Sequence, residues 1–195
     1  MKEILKDAWD AVWEDFKLHK INSERSLQAI LYNAIISTNA FDKYNNKIFI
    51  EPSIKEFIPD LIIIGDGKVK CIMEIKCSPH NIFGRGRIQK DFDKLENYKD
   101  MSPIYLEEFG ENRVFDRKNI KWSPKVSSYK YIIDEATILC FAVLGLKEDK
   151  KLIEVINNYY NRENYCILAG LMTPDLKSNN NNSRFYLVKE LISGA

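Results

Sequence analysis

Apolar residues recur at helical spacing in two stretches near the start of the chain. In residues 2–18 an apolar side chain returns every three or four positions, which predicts an amphipathic helix. A second helix is expected to begin at Asn22 or Ser23, because the short polar side chain of either residue can cap free backbone N–H groups. Glu24 then lies in the first turn of that second helix.

Strand patterns follow the two helices. The strongest signal is Gly65-Asp66-Gly67, which is typical of a tight hairpin turn between two strands. The run from Leu61 to Ile64 is apolar on both faces, so its strand is expected inside a sheet covered on both sides. The three predicted strands cover residues 47–51, 57–64 and 68–76.

Helix and strand patterns alternate in the rest of the chain. Residues 100–134 have no long period and look like an insertion or an extended lid. A tight hairpin among three consecutive strands, flanked by helices, fits a mixed central sheet better than an all-parallel one. The further elements expected are a helix over about 87–99, a strand at 136–144, a helix at 148–162, and strands at 165–172 and 185–188.

Length and composition are those of a globular protein. The 195 residues suit one domain, taken as 1–195, and a hydrophobic fraction of 45% excludes disordered and low-complexity classes. The net charge is +1, so attraction to nucleic acid or an anionic membrane would have to come from a local patch. The sequence shows no secretion signal or membrane-spanning run, and the protein is expected to be cytoplasmic, with its four cysteines reduced.

Charged residues lie at the ends of the two strands that the hairpin joins. Asp60 stands near the start of the second strand, and Glu74 and Lys76 lie two apart at the end of the third. A hairpin centred near residues 66–67 puts position 60 opposite 73 or 74, depending on loop length. Two carboxylates and one ammonium group are therefore expected to converge, in the hard-oxygen setting that Mg²⁺ requires. The other interpretation is a structural ion pair between the strands.

The pattern Pro59-Asp60, thirteen intervening residues, then Glu74-Ile75-Lys76 resembles the motif of the PD-(D/E)XK nuclease superfamily. Its setting over about residues 22–144 is similar to the αβββαβ core of the restriction-endonuclease-like fold. The resemblance implies an α/β fold with a mixed central sheet flanked by helices. It leaves 100–134 as an insertion and 145–195 as a C-terminal αββ extension.

The resemblance also implies an activity, the hydrolysis of phosphodiester bonds in DNA with Mg²⁺ as the cofactor and Mn²⁺ as a substitute. Residues at the positions of Asp60 and Glu74 bind the metal in that family, and the residue at the position of Lys76 orients or activates the attacking water. Glu24 matches an additional acidic ligand. Gln89 matches a polar residue that some members place beside the site.

The same spacing occurs a second time in the chain. Asp134 stands fourteen positions before Glu148-Asp149-Lys150. Glu148 is expected to begin a helix, where an acidic residue favours the helix dipole, and Lys150 then faces solvent. Only the first copy is embedded in hydrophobic strands joined by a hairpin, so the context favours it.

Basic residues cluster in two places. Residues 113–130 hold six basic residues and one acidic residue, a net charge of +5, with aromatic residues between them. Such a stretch can bind phosphates and stack on bases, and a solvated surface loop is an equally good interpretation. The second cluster opens the helix at 87–99, where free backbone amides and arginines suit a phosphate. The predicted nucleic-acid contacts are Arg85, Arg87, Lys90, Arg117, Lys118, Lys121, Trp122 and Lys125.

Two other classes of function stay open. A non-catalytic nucleic-acid-binding or scaffolding protein could keep the nuclease fold, although the complete set of Asp60, Glu74 and Lys76 favours an enzyme. A small-molecule-binding α/β protein is disfavoured because the chain has no phosphate-binding fingerprint. The expected partner is nucleic acid, foremost double-stranded DNA, and the resemblance is compatible with a homodimer or a further partner protein.

Overall fold

The protein is an α/β structure built on a mixed sheet with helices on both faces. A computed structural model describes residues 1–43, 45–55, 57–78, 85–109, 114–116, 121–123, 126–145, 158–159, 162–173 and 184–187. The described helices are α1 (Lys2–Lys17), α2 (Glu24–Ile36), α3 (Asn39–Lys43) and α4 (Arg85–Tyr98), followed by a 3₁₀ turn at Lys99–Met101.

Ten strands are assigned in the described part of the chain. They are β1 (Lys47–Ile50), β2 (Leu61–Gly65), β3 (Lys68–Ser78), β4 (Ile104–Phe109), β5 (Val114–Asp116), β6 (Lys121–Ser123), β7 (Val126–Tyr131), β8 (Ile138–Gly145), β9 (Tyr165–Thr173) and β10 (Arg184–Leu187). Six of them form the main sheet in the order β1-β2-β3-β8-β9-β10.

The main sheet combines both strand directions. Strands β1, β2 and β3 pair antiparallel, β3, β8 and β9 pair parallel, and β10 returns antiparallel to β9. The parallel step from β3 to β8 needs a long connection, and α4 lies within it. The predicted mixed central sheet flanked by helices is confirmed.

The hairpin between β2 and β3 has the predicted two-residue turn. Asp66 and Gly67 have φ values of 53° and 72°, as the turn between twisted strands requires, and Gly65 pairs with Lys68. The register then shifts, because Ile64 pairs with Val69 while Ile63 pairs with Cys71. This bulge inserts one extra residue into β3 and moves every later partner by one position.

Each face of the sheet carries its own apolar layer. Helices α1 and α2 cover one face, and Ser23 caps α2 by accepting a hydrogen bond from the backbone N–H of Ser26. Helix α4 covers the other face with Ile88, Phe92 and Leu95, all buried. The prediction that α2 begins after Asn22 or Ser23 is confirmed at Ser23.

Residues 100–134 contain strands that the sequence pattern did not indicate. Strands β4 and β7 form a two-stranded ladder, and β5 and β6 form a shorter one. Ile104, Leu106 and Tyr131 on the inner side of the first ladder are buried in the layer beneath α4. The inner face has so few buried positions that no long period appears in the sequence. The β4–β7 ladder of this predicted insertion or extended lid therefore packs into the core.

Other element boundaries differ from the sequence pattern by a few residues. Strand β2 begins at Leu61 instead of residue 57, because Pro59 has no N–H to donate and Ile54 and Phe57 already bond to each other. Helix α4 begins at Arg85, two residues early. The short helix α3 was not predicted. The predicted helix at 148–162 lies largely outside the described residues, in which Asn158 and Tyr159 are helical.

The four cysteines form no disulfide, as predicted. Cys71, Cys140 and Cys166 are buried on neighbouring strands, and Cys77 is partly exposed. Among the described helices, none is both long enough and apolar enough to cross a membrane.

Candidate functional site

Asp60 and Glu74 lie side by side where β2 begins, beside the middle of β3, which runs on to Ser78 instead of ending at the predicted residue 76. The bulge in β3 makes Leu61 pair with Met73. Continuing the antiparallel register by one step puts Asp60 beside Glu74, the second of the two positions that the sequence allowed. Leu61 and Met73 face the α1 and α2 layer, so their neighbours Asp60 and Glu74 face α4.

Asp60 is fixed by backbone contacts. Its Oδ2 atom accepts a hydrogen bond of 2.6 Å from the N–H of Ile75, the residue between Glu74 and Lys76. The Gln28 side chain on α2 donates to the carbonyl oxygen of Asp60 at 2.9 Å. Burial raises the pKa of Asp60 above its usual value, and the Ile75 N–H and the charge of Lys76 limit the rise.

Glu74 is a buried carboxylate with one oxygen held twice. Only 1% of the residue is exposed. Its Oε1 lies 2.7 Å from Nζ of Lys94 and accepts a hydrogen bond of 3.1 Å from the hydroxyl of Tyr98. Burial raises the pKa of Glu74 to about 7, the charge of Asp60 adds to the rise, and Lys94 limits it. Lys94 and Tyr98 therefore hold the Glu74 carboxylate in place, but they do not offset the whole cost of burying its charge.

Lys76 lies between carboxylates of two helices. Its Nζ is 3.4 Å from Oε1 of Glu24 on α2 and 3.9 Å from Oδ2 of Asp91 on α4, and it donates to the carbonyl of Ile75 at 3.1 Å. Burial acts to lower the pKa of Lys76, but the charges of Asp91, Glu24 and Asp60 outweigh it and raise the pKa. Lys76 therefore stays an ammonium group at neutral pH and can donate hydrogen bonds.

Gln89 does not join this group. Its Nε2 donates to Oδ1 of Asp93 and to the hydroxyl of Tyr159, both at 2.8 Å. Gln89 and Asp91 are about 200° apart around the axis of α4, so they lie on opposite sides of the helix. The structure brings together Asp60, Glu74, Lys76 and Glu24 of the predicted site residues, and it gives Gln89 contacts elsewhere.

Three residues of α4 that the sequence interpretation missed do face the site. Asp91, Lys94 and Tyr98 are spaced at i, i+3 and i+7, which puts them on one side of the helix. That side borders the apolar stripe that α4 packs against the sheet. The sequence feature that could have identified these three residues is their helical spacing next to the apolar stripe of α4.

Acidic groups exceed basic groups at the site. The carboxylates of Asp60, Glu74, Glu24 and Asp91 interact with the ammonium groups of Lys76 and Lys94. Burial raises the pKa of Asp91 too, and its buried Oδ2 has no hydrogen-bond partner among the described residues. With all six groups ionised, the four carboxylates exceed the two ammonium groups by two charges, and such an excess attracts a divalent cation.

The donor set of the site suits magnesium in part. Within the described residues, no three Asp, Glu, His or Cys side chains converge closely enough to hold a metal ion. Mg²⁺ commonly takes one or two protein carboxylates and fills its other positions with water and substrate phosphate. Asp60, just before β2, and Glu74, on β3, supply two such carboxylates, so the residue types present fit this cation.

The predicted nucleic-acid contacts are only partly within the described structure. Lys90 is exposed on α4, one turn before Lys94. Arg85 and Arg87 lie in the first turn of α4, and Lys121 and Trp122 lie on β6, where the backbone alone is described. Arg117, Lys118 and Lys125 lie outside the described residues.

Comparison with known proteins identifies no relative of this chain. No protein-family model, curated protein or solved structure matches it. The chemistry of the site therefore has to be judged from its own residues.

Proposed function

We propose that this protein is a divalent-metal-dependent nuclease that hydrolyses phosphodiester bonds in DNA, with a core of the restriction-endonuclease-like type. One observation carries the proposal. The carboxylate of Asp60 is bonded at 2.6 Å to the backbone N–H of Ile75, between Glu74 and Lys76. This contact joins two residues fifteen positions apart and brings the carboxylate, the second acid and the lysine of the motif together at the start of β2.

Asp60 and Glu74 would hold the metal in this proposal. A bound Mg²⁺ would lower the pKa of a coordinated water and neutralise charge that develops on the phosphate. Mn²⁺ has similar ligand preferences and would substitute for it. Glu24 acts from the start of α2 as an additional acidic group, held 3.4 Å from Lys76.

Lys76 acts as a hydrogen-bond donor. The surrounding carboxylates keep its side chain charged, so it orients the attacking water and the phosphate oxygens rather than removing a proton. Among the described residues, Lys76 is the one lysine of β3 that contacts two carboxylates. Its contacts with Glu24 on α2 and Asp91 on α4 hold the ammonium group between the two helices.

The substrate would reach the site along α4. Lys90 is exposed there, and the free amides and the arginines at the start of α4 suit a phosphate. Of the basic stretch 113–130, which carries a net charge of +5, Lys130 lies exposed on β7, the strand that pairs with β4. We further propose a cytoplasmic protein that acts on duplex DNA, as a homodimer where it cuts both strands.

Cleavage assays test the proposal directly. The protein is incubated with linear duplex, circular duplex and single-stranded DNA and with RNA, in Mg²⁺, in Mn²⁺ and in EDTA, beside Asp60→Ala. We expect DNA cleavage that requires the metal and is lost in the variant. Equal cleavage by both proteins, or cleavage in EDTA, would refute the mechanism. Metal-independent DNA binding without any cleavage would favour the non-catalytic nucleic-acid-binding alternative.

Asp91 is expected to matter more for cleavage than Gln89. Asp91→Asn removes a charge 3.9 Å from Lys76 and should slow DNA cleavage about 10- to 100-fold, as loss of an orienting carboxylate does at metal sites. Gln89→Ala loses contacts to Asp93 and Tyr159 and should stay within a few-fold of the wild type. Single-turnover rates at saturating Mn²⁺ measure both. The reverse ranking would restore Gln89 to the site.

A further inference from the structure

Lys94 is held against the site by two oxygen atoms. Its Nζ lies 2.7 Å from Oε1 of Glu74 and donates at 2.7 Å to the backbone carbonyl of Ile58. The side chain is 27% exposed, whereas that of Glu74 is 2% exposed. Ile58 stands three residues before β2, so the ammonium group bridges this segment and the carboxylate of Glu74 on β3.

The two lysines at the site contact different carboxylates. Lys76 contacts Glu24 on α2 and Asp91 on α4. Lys94 contacts Glu74, the most deeply buried of the acids. A buried carboxylate without a partner is strongly unfavourable, so a counter-charge is needed whenever no metal is bound.

Both described contacts of the Glu74 carboxylate are made by the same oxygen. Lys94 and the hydroxyl of Tyr98 meet at Oε1, and Tyr98 is fully buried. These contacts hold Oε1 of the carboxylate from the α4 side. They also put one positive charge on the group that the proposed function assigns to a divalent cation.

We propose that Lys94 is a built-in counter-ion of Glu74, which orients this carboxylate when no divalent cation is bound and competes with an incoming divalent cation for it. The inference rests on the proposed function for the identity of the competitor. The pairing itself rests on the two contacts at 2.7 Å. Lys94 is thus a positioning residue that acts through Glu74 and sets how tightly the site binds its metal.

Mn²⁺ titration by calorimetry tests the competition. Lys94→Met keeps most of the length of the side chain without its charge, and Lys94→Arg keeps the charge. Lys68→Met, which removes a lysine that also lies 2.7 Å from a carboxylate, that of Asp134, is the matched control. We expect Lys94→Met to bind Mn²⁺ about tenfold more tightly than the wild type and the other two to bind it as the wild type does. Unchanged or weaker binding by Lys94→Met would overturn the competition.

A double-mutant cycle without metal tests the pairing. In EDTA, Lys94→Met is expected to lower the unfolding midpoint by several degrees, because Glu74 loses its counter-charge. The same substitution in a Glu74→Gln background should have a much smaller effect, since a neutral amide needs none. Equal effects in the two backgrounds would overturn the pairing.

The two tests separate this inference from the proposed function. DNA cleavage by the wild type, together with an unchanged Mn²⁺ affinity in Lys94→Met, would reject the role of Lys94 and leave the nuclease proposal in place. Failure of both wild type and Lys94→Met to bind Mn²⁺ would reject the metal site and the competition. The cycle in EDTA would then still decide whether Lys94 neutralises Glu74.

Discussion

Lys76→Met is expected to slow metal-dependent cleavage of duplex DNA about 10²- to 10³-fold, the usual cost of removing one fixed donor from a reacting group. Lys76 is the charged donor held between Glu24 and Asp91, at 3.4 and 3.9 Å. Its removal takes a positive charge away from a cluster with excess acid, so Mn²⁺ binding should not weaken. Single-turnover cleavage at saturating Mn²⁺ measures the loss, and calorimetry measures the affinity.

Lys70→Met is the matched control for this experiment. Lys70 lies on the same strand and pairs with a carboxylate, that of Asp66, at 3.6 Å, but at the hairpin end of β3. The control should cleave DNA at the wild-type rate. A similar loss in both variants would indicate a general effect of removing charge from β3. Full activity in Lys76→Met would refute the assigned role.

The sequence was sufficient to predict that Asp60 and Glu74 lie beside each other on adjoining chain segments. The Asp66-Gly67 turn determined the hairpin, and the apolar run of β2 indicated a buried strand. It left open whether position 60 faces 73 or 74. The bulge in β3 decides for 74, and nothing in the residues around Lys70 marks a bulge, because it depends on how β3 packs against both neighbouring strands.

The helix after the Glu-x-Lys strand was harder to interpret. The pattern predicted α4, but the polar side chain chosen from it, Gln89, faces Tyr159. Which side of α4 faces Asp60, Glu74 and Lys76 depends on the rotation of the helix over the sheet. Arg85 is the first helical residue, two before the predicted start, and the buried stripe at Phe92 and Leu95 sets the rotation. Asp91 and Lys94 follow from that rotation and not from their residue types.

At about pH 8 without divalent cations, Glu74→Gln is expected to be more stable than the wild type. The pKa of Glu74 is about 7 in the folded protein, above its ordinary value of 4.5. A raised folded-state pKa means that the favourable contribution of the neutral form is present below the unfolded value and is lost as pH rises through 7. A shift of this size corresponds to a gain of up to about 3 kcal/mol for the neutral amide at high pH.

Denaturant unfolding of Glu74→Gln and wild type across about pH 5 to 8 in EDTA measures this effect, because the difference should grow with pH and be smallest at the acid end. Glu107→Gln, an exposed glutamate on β4, is the control and should show no such pH dependence. Adding Mn²⁺ at about pH 8 should stabilise the wild type by binding its folded state and leave Glu74→Gln nearly unchanged. A stability difference that is constant with pH, or a variant less stable than the wild type at about pH 8, would show that burial of the Glu74 charge is already fully compensated by Lys94 and Tyr98.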